Sequence, residues 1–210
     1  MDAYALNPDC WIRLGTPADT EAIAELMCDA GAGLMAHLLA GAVPQFDVQT
    51  LLSLAIANLD NPYSYENACI AETESEISGL ALAFPANQYE APALLCEVID
   101  PERLAAVQPL FDSRMEASFY LNSLATRSAY RRQGVGRALL GAVAALAAAE
   151  NYEFVSLHVW RDNSAALSLY RTLGFSVREE VALAPSVHFR YDGPIMLLVA
   201  DTQQILEACD

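Results

Sequence analysis

The sequence predicts an α/β (α+β) fold, one sheet with helices packed on it. Three observations carry that expectation. The second half alternates strand and helix patterns at short spacing. Apolar residues make up 54% of the 210 residues and charged residues 18%, enough to build a sizeable core and too apolar for disorder. No internal repeat or low-complexity linker divides the chain, so one domain over 1–210 is expected.

The elements follow in order. Trp11–Leu14 is a short apolar strand. Thr16, Pro17 and Asp19 mark a helix start, with an acid in the first turn. Ala22, Ile23, Leu26 and Met27 recur at helical spacing until Gly31 and Gly33 end the helix. Leu34–Leu39 and 48–59 carry two further apolar stripes, and Asn61-Pro62 is a turn signal. Segments 68–71 and 77–84 read as strands joined by the acidic turn 72–76. The stretch at about 85–117 is less regular. Pro92, Pro101 and Pro109 interrupt it, a short helix is expected at 102–107, and the whole reads as an insertion over one face. Ser118–Thr126 is a strand, 134–150 a long Ala- and Leu-rich helix, Phe154–Trp160 a strand, 164–173 a helix, and 175–183 and 195–200 the last two strands.

Charge narrows the functional classes. Twenty-seven acids face 11 basic residues, all of them Arg, for a net charge of -16. Wholesale nucleic-acid binding is disfavoured, because phosphate contacts need a basic face. The charge is uneven. Residues 1–117 hold 18 acids and 3 Arg, whereas 118–210 hold 9 acids and 8 Arg. No acid lies between Glu116 and Glu150, and Arg127, Arg131, Arg132 and Arg137 crowd into that gap, either as a solvated loop or as an anion site. The five cysteines (Cys10, Cys28, Cys69, Cys96, Cys209) are scattered without a CxxC, which fits reduced thiols in a cytoplasm. His37, His158 and His188 form no pair at metal-ligand spacing, so no metal is expected. The start MDAYALNPDC has acids where a signal peptide needs bases, and the longest apolar run, 139–149, is too short to span a bilayer, so no membrane partner is expected.

The segment LNSLATRSAYRRQGVGRALL, 121–140, is the most informative. A strand ends near Thr126, and Arg131-Arg132-Gln133-Gly134-Val135-Gly136-Arg137 opens a helix. The first helical turn has N–H groups without internal partners and a partial positive charge. Glycines let that backbone approach a bulky ligand, and flanking Arg adds bidentate donors. Together they suit a phosphate or diphosphate. A Walker loop is excluded because the chain has no Lys, and the GxGxxG fingerprint fails because Leu139 stands where its third glycine belongs. Downstream, Asn163 can cap a helix on which Ala166, Leu169, Tyr170 and Leu173 share one face, with Gly174 at its end. That pattern alone is also what an ordinary amphipathic helix with a packed Tyr would show.

The two segments together resemble the GCN5-related N-acetyltransferase (GNAT) superfamily. Arg131-x-x-Gly134-x-Gly136 is similar to its acetyl-CoA pyrophosphate motif. Asn163-x-x-Ala166-x-x-Leu169-Tyr170-x-x-x-Gly174-Phe175 is similar to its following helix, and residues 12–23 to its opening strand and helix. The resemblance implies a central mixed, splayed sheet flanked by helices, with acyl-CoA in the splay. It implies that backbone groups of Leu124, Ala125 and Thr126 hold the pantetheine arm. It implies that Arg131, Arg132, Gln133, Gly134, Val135, Gly136, Arg137 and Ala138 surround the diphosphate, and that Asn163 contacts the cofactor arm. Tyr170 would protonate the departing thiolate. The activity implied is transfer of an acetyl group from acetyl-CoA to a primary amine by direct attack in a ternary complex. Homodimers are common among such proteins, and no interface is legible in the sequence.

The chemistry sets the remaining demands. An amine of pKa about 10.4 costs roughly 4.6 kcal/mol to deprotonate at pH 7, so a base is needed. Many members carry a carboxylate on the strand before the loop, where this chain has Tyr120 and Asn122. Glu116 just upstream is the nearest acid and the candidate base; His158 on the next strand and Glu97 in the insertion are weaker alternatives. The acidic half would attract a small-molecule or peptidic amine, a cationic one included, or it only keeps the protein soluble. A catalytically inactive acyl-CoA-binding module of the same fold is the alternative reading, and a phosphate-loop protein for another nucleotide a third.

Overall fold

A computed structural model describes residues 10–209 except Ser75. The amino-terminal nine residues, read above for targeting, and the tip of the acidic turn therefore lie outside the described residues. The strands are β1 (Trp11–Leu14), β2 (Ala68–Glu72), β3 (Ile77–Pro85), β4 (Ser118–Thr126), β5 (Phe154–Trp160), β6 (Ser176–Val181) and β7 (Ile195–Asp201). They form one sheet in the order β1-β2-β3-β4-β5-β7-β6. All neighbours are antiparallel except β4 and β5, which are parallel. A parallel pair needs a crossover, and the long helix α6 (Val135–Ala149) supplies it.

Helices cover both faces. On one lie α1 (Thr20–Ala30), α2 (Leu34–Leu39), α3 (Val48–Ala57), α4 (Ala93–Cys96) and α5 (Pro101–Asp112). Their apolar positions, among them Ile23, Leu39, Ile56 and Leu110, bury against Ile70, Leu80, Leu82 and Phe84 of the sheet. On the other lie α6, α7 (Ser164–Thr172) and α8 (Thr202–Cys209). Leu139, Leu140, Val143, Ala144 and Ala147 form a stripe along α6 that buries against Ala71, Ala81 and Leu121. Burying a side chain such as the fully covered Leu139 is worth about 1.5–3 kcal/mol.

Most expected elements are present, with shifts at their ends. α3 stops at Ala57, where Asn58 turns to extended backbone. α5 runs through Pro109, which was expected to interrupt it: the helix keeps its path and gives up one internal N–H donor. α8 was not anticipated. The five cysteines are free thiols, and no helix among the described residues is long and apolar enough to cross a membrane.

Two irregularities open the sheet. β4 and β5 pair only at four positions, 118–121 against 154–157, and beyond Leu121 both strands continue without pairing. Beside that point the β3–β4 register shifts, so that Leu82 faces Ser123 but Ala83 faces Leu121, leaving Asn122 as an extra residue on β4. A bulge changes which face the following residues meet. Phe119 and Leu121 pack on the α6 side, whereas Ala125, of the same parity, packs on the α1 side.

Candidate active site

A groove of about 340 Å³ follows the end of β4, the glycine turn, the start of α6 and one face of α7. Its shape comes from the turn. Arg132 (φ 64°) and Gly134 (φ 83°) both take the left-handed conformation, and Gly134 caps α6 there without a Cβ penalty. The N–H groups opening α6 thus border the groove. At Gly136 a Cβ would meet Leu169 Cδ2 at 3.3 Å and Thr126 Oγ1 at 3.7 Å, so a larger side chain would occupy the space between β4 and α7.

The four arginines of the cationic stretch part company. Arg131 and Arg132 line the groove, and Arg131 Nε also donates to the Thr126 carbonyl (3.2 Å). Arg137 lines it too while donating to the Ala208 carbonyl, which ties α8 to α6. Arg127 is elsewhere: it forms a bidentate pair with Glu25 (2.8 and 2.7 Å) and donates to the Ile77 carbonyl. That pair raises the guanidinium pKa and lowers that of Glu25. Of the other expected cofactor residues, Leu124, Thr126, Gly134, Val135 and Gly136 line the groove. Ala125 is buried on the opposite face, and Gln133 turns its amide to the Ala129 carbonyl. Ala138 does not line the groove; its N–H donates to the Gly134 carbonyl inside the helix.

The groove meets a second cavity of about 110 Å³ in the splay between β4 and β5. Leu124, Ala166 and Tyr170 line both. Tyr170 is 6% exposed and packs its ring on Phe175. Burial pushes its phenol up, so it stays protonated, and among the described residues its hydroxyl has no hydrogen-bond partner. Asn163 lines the second cavity rather than the groove, and its Oδ1 accepts the Ala166 N–H as the cap of α7.

The second cavity is also bordered by a network that the sequence did not reveal. Ser113 Oγ donates to the Leu110 carbonyl (3.2 Å), so it accepts from His158 Nε2 at 2.7 Å. A hydroxyl has one proton to give, so the tautomer with the His158 proton on Nε2 is the one that satisfies both Ser113 contacts. In that tautomer His158 Nδ1 is an acceptor, 2.9 Å from the Tyr120 hydroxyl. Burial pushes His158 down to about 4, so the ring is neutral at pH 7. Tyr89 stacks on Tyr120 with ring centroids 4.2 Å apart. Tyr89, Tyr120 and His158 all line the cavity.

Glu116 is not brought to this place. It lies in the turn before β4, its side chain 72% exposed and paired with Arg114, and it lines neither cavity. Glu97 is exposed beyond α4 and lines neither cavity as well. Among the described residues no Asp or Glu lines the second cavity.

The comparisons agree with this geometry. The acetyltransferase (GNAT) family matches residues 45–175. An N-alpha-acetyltransferase of Sulfurisphaera tokodaii is 30% identical over 174 residues, 71% of this chain and 98% of that protein. Among solved structures, the N-acetyltransferase of Staphylococcus aureus Mu50 is similar with a TM-score of 0.67 at 21% identity, covering 90% of this chain and 100% of that one. The protein yncA of Salmonella typhimurium, solved with its cofactor acetyl-CoA, is similar at a TM-score of 0.57 and 17% identity, covering 92% of this chain and 94% of that one. With the splayed sheet, the glycine turn and the matched span together, the chain belongs to the acetyltransferase (GNAT) family.

Proposed function

We propose that the protein transfers an acetyl group from acetyl-CoA to the α-amino group of an acceptor. The observation that carries this is the junction of groove and cavity, with an unpartnered, protonated Tyr170 at the meeting point and the Tyr120–His158 pair lining the same cavity. Acetyl-CoA supplies an activated acetyl thioester. The residues present fit it: the start of α6 with Arg131 and Arg132 suits a diphosphate, and the unpaired edge of β4 beyond Leu121 offers backbone donors and acceptors to the pantetheine amides.

In the reaction the acceptor nitrogen bonds to the carbonyl carbon, the carbon–sulfur bond breaks, and the nitrogen loses a proton while the sulfur gains one. Tyr170 gives the proton to sulfur. The Tyr120 oxygen takes the proton from nitrogen as its own passes to His158 Nδ1, and Ser113 holds the ring in the accepting tautomer. Such a base is weak, because His158 sits at about 4. Magnitudes then favour the α-amino acceptor. At pH 7 an α-amino group of pKa about 7.7–8.0 costs only about 1–1.4 kcal/mol to bring to the neutral form, against roughly 4.6 for a lysine-type amine. The name of the Sulfurisphaera tokodaii relative supports the same choice.

The test is CoA thiol release from acetyl-CoA with acceptors offering an α-amino group, a side-chain amine, or both, and the product mapped by mass spectrometry. Tyr170→Phe should keep acetyl-CoA affinity and lose about 10²-fold or more in kcat. Tight acetyl-CoA binding with no release for any acceptor would refute catalysis and leave a binding module.

A further inference from the structure

A third cavity of about 50 Å³ lies beyond the second one, on the face of the sheet covered by α2, α3, α4 and α5. Its walls are almost wholly aliphatic and aromatic, with Leu52, Ala55 and Ile56 from α3 and Leu95, Val107 and Phe111 from the 85–117 segment. Among the described residues no charged side chain lines it. It adjoins the candidate active site, with Leu34, Met35, Tyr89, Leu110 and Asn122 lining both. An apolar space of this kind stays dry and accepts an apolar guest.

We propose that this chamber seats an aliphatic or thioether substituent carried next to the reacting nitrogen of the acceptor, an inference that rests on the acetyltransferase reading above. The order of the cavities decides the occupant. Groove and chamber share no residue, and the second cavity stands between them. A long acyl chain could reach the chamber only by running past Tyr120 and His158, the place the acceptor nitrogen needs. An acceptor whose nitrogen faces that pair has the chamber beside it. A second ammonium, as in a polyamine or a lysine, would meet no carboxylate of the described residues in either space, and an unpaired buried charge is strongly disfavoured. The same substituent could belong to a peptide amino terminus or to a free amine.

The experiment uses the full chain, with acetyl-CoA or hexanoyl-CoA as donor. Acceptors are peptides of one sequence beginning with Leu, Met or Gly, the matching free amino-acid amides, and putrescine. Leu and Met acceptors should exceed Gly and putrescine in kcat/KM by about tenfold or more. Ala55→Met, which fills the chamber from α3, should collapse that preference by a similar factor. Ala91→Leu fills it from the half-buried loop before α4 and tests the same point if the α3 variant folds poorly. Peptide and amide arms show which source is used, and preference for Leu and Met in either supports the proposal. Calorimetry with leucine amide in the presence of CoA gives a second readout, since binding should weaken in both variants. Binding of leucine amide that both variants weaken, with no turnover of any acceptor, would sink the transfer reaction and sustain the chamber. Putrescine or Gly acceptors used as well as Leu in both arms, or neither leucine amide nor the Leu peptide binding, would overturn the chamber assignment and leave the reaction standing. A preference for hexanoyl-CoA that Ala55→Met removes would give the chamber to the acyl chain and overturn the proposal.

Discussion

His158 links the site to stability in a way that pH can measure. A histidine in an unfolded chain has a pKa of about 6.5, and burial lowers that of His158 to about 4. Protons therefore bind the unfolded chain first. The contribution to stability is full above about pH 6.5, falls as pH drops toward 4, and levels off below that. Between about pH 7.5 and pH 5 the loss amounts to about 2 kcal/mol. His158→Gln removes the titration, and the difference between the two proteins isolates it. His37, also lowered by burial, is common to both and cancels. Asp19, which Arg13 holds at about 2, and Glu25 and Glu72, lowered by their Arg partners, lose their contributions at lower pH than this window. The facing phenols of Tyr89 and Tyr120 are pushed up by burial and stay neutral throughout. Urea unfolding at both pH values reads the result. The wild type should lose about 2 kcal/mol more than His158→Gln, and equal losses would refute a buried, neutral His158 held by Ser113 and Tyr120.

Two further outcomes test the groove. Arg131→Met should weaken CoA binding by about tenfold and flatten its salt dependence, whereas Arg127→Met should leave binding within about twofold and cost roughly 0.5–1 kcal/mol of stability for a partly exposed pair. Calorimetry at two salt concentrations, with urea unfolding beside it, separates them. Gly136→Val places a branched side chain between Leu169 and Thr126. The thermal stabilisation by CoA should vanish, while the melting temperature of the free protein changes little.

Local chemistry was legible in the sequence. The glycine turn that opens α6, the Ala- and Leu-rich helix itself and the Asn163 cap of α7 each depend on residues within a turn or two, and each is found where its pattern indicated. The cationic stretch was read too generously, because the partner that occupies Arg127, Glu25, lies 102 residues away. Distance in sequence also hid the Ser113–His158–Tyr120 network, which joins the end of α5, β5 and β4 through hydrogen bonds that leave no local trace. The bulge at Asn122 is of the same kind: it is a mismatch of register between β3 and β4, visible only when the strands are paired.

The acidic first half left two readings open, a rim that attracts amines or mere solubility. Counting charge along a segment reports the face it presents to water, because carboxylates are rarely buried without a partner. The same segments turn Met35, Tyr89, Leu95 and Leu110 inward, and those side chains line the cavities. Glu97 sits two residues from Leu95 and Asp112 two from Leu110, yet both acids are exposed and neither lines a cavity. On the function proposed above, the acceptor would meet the apolar face of a strongly anionic half, and the net charge of -16 would act on its approach to the protein.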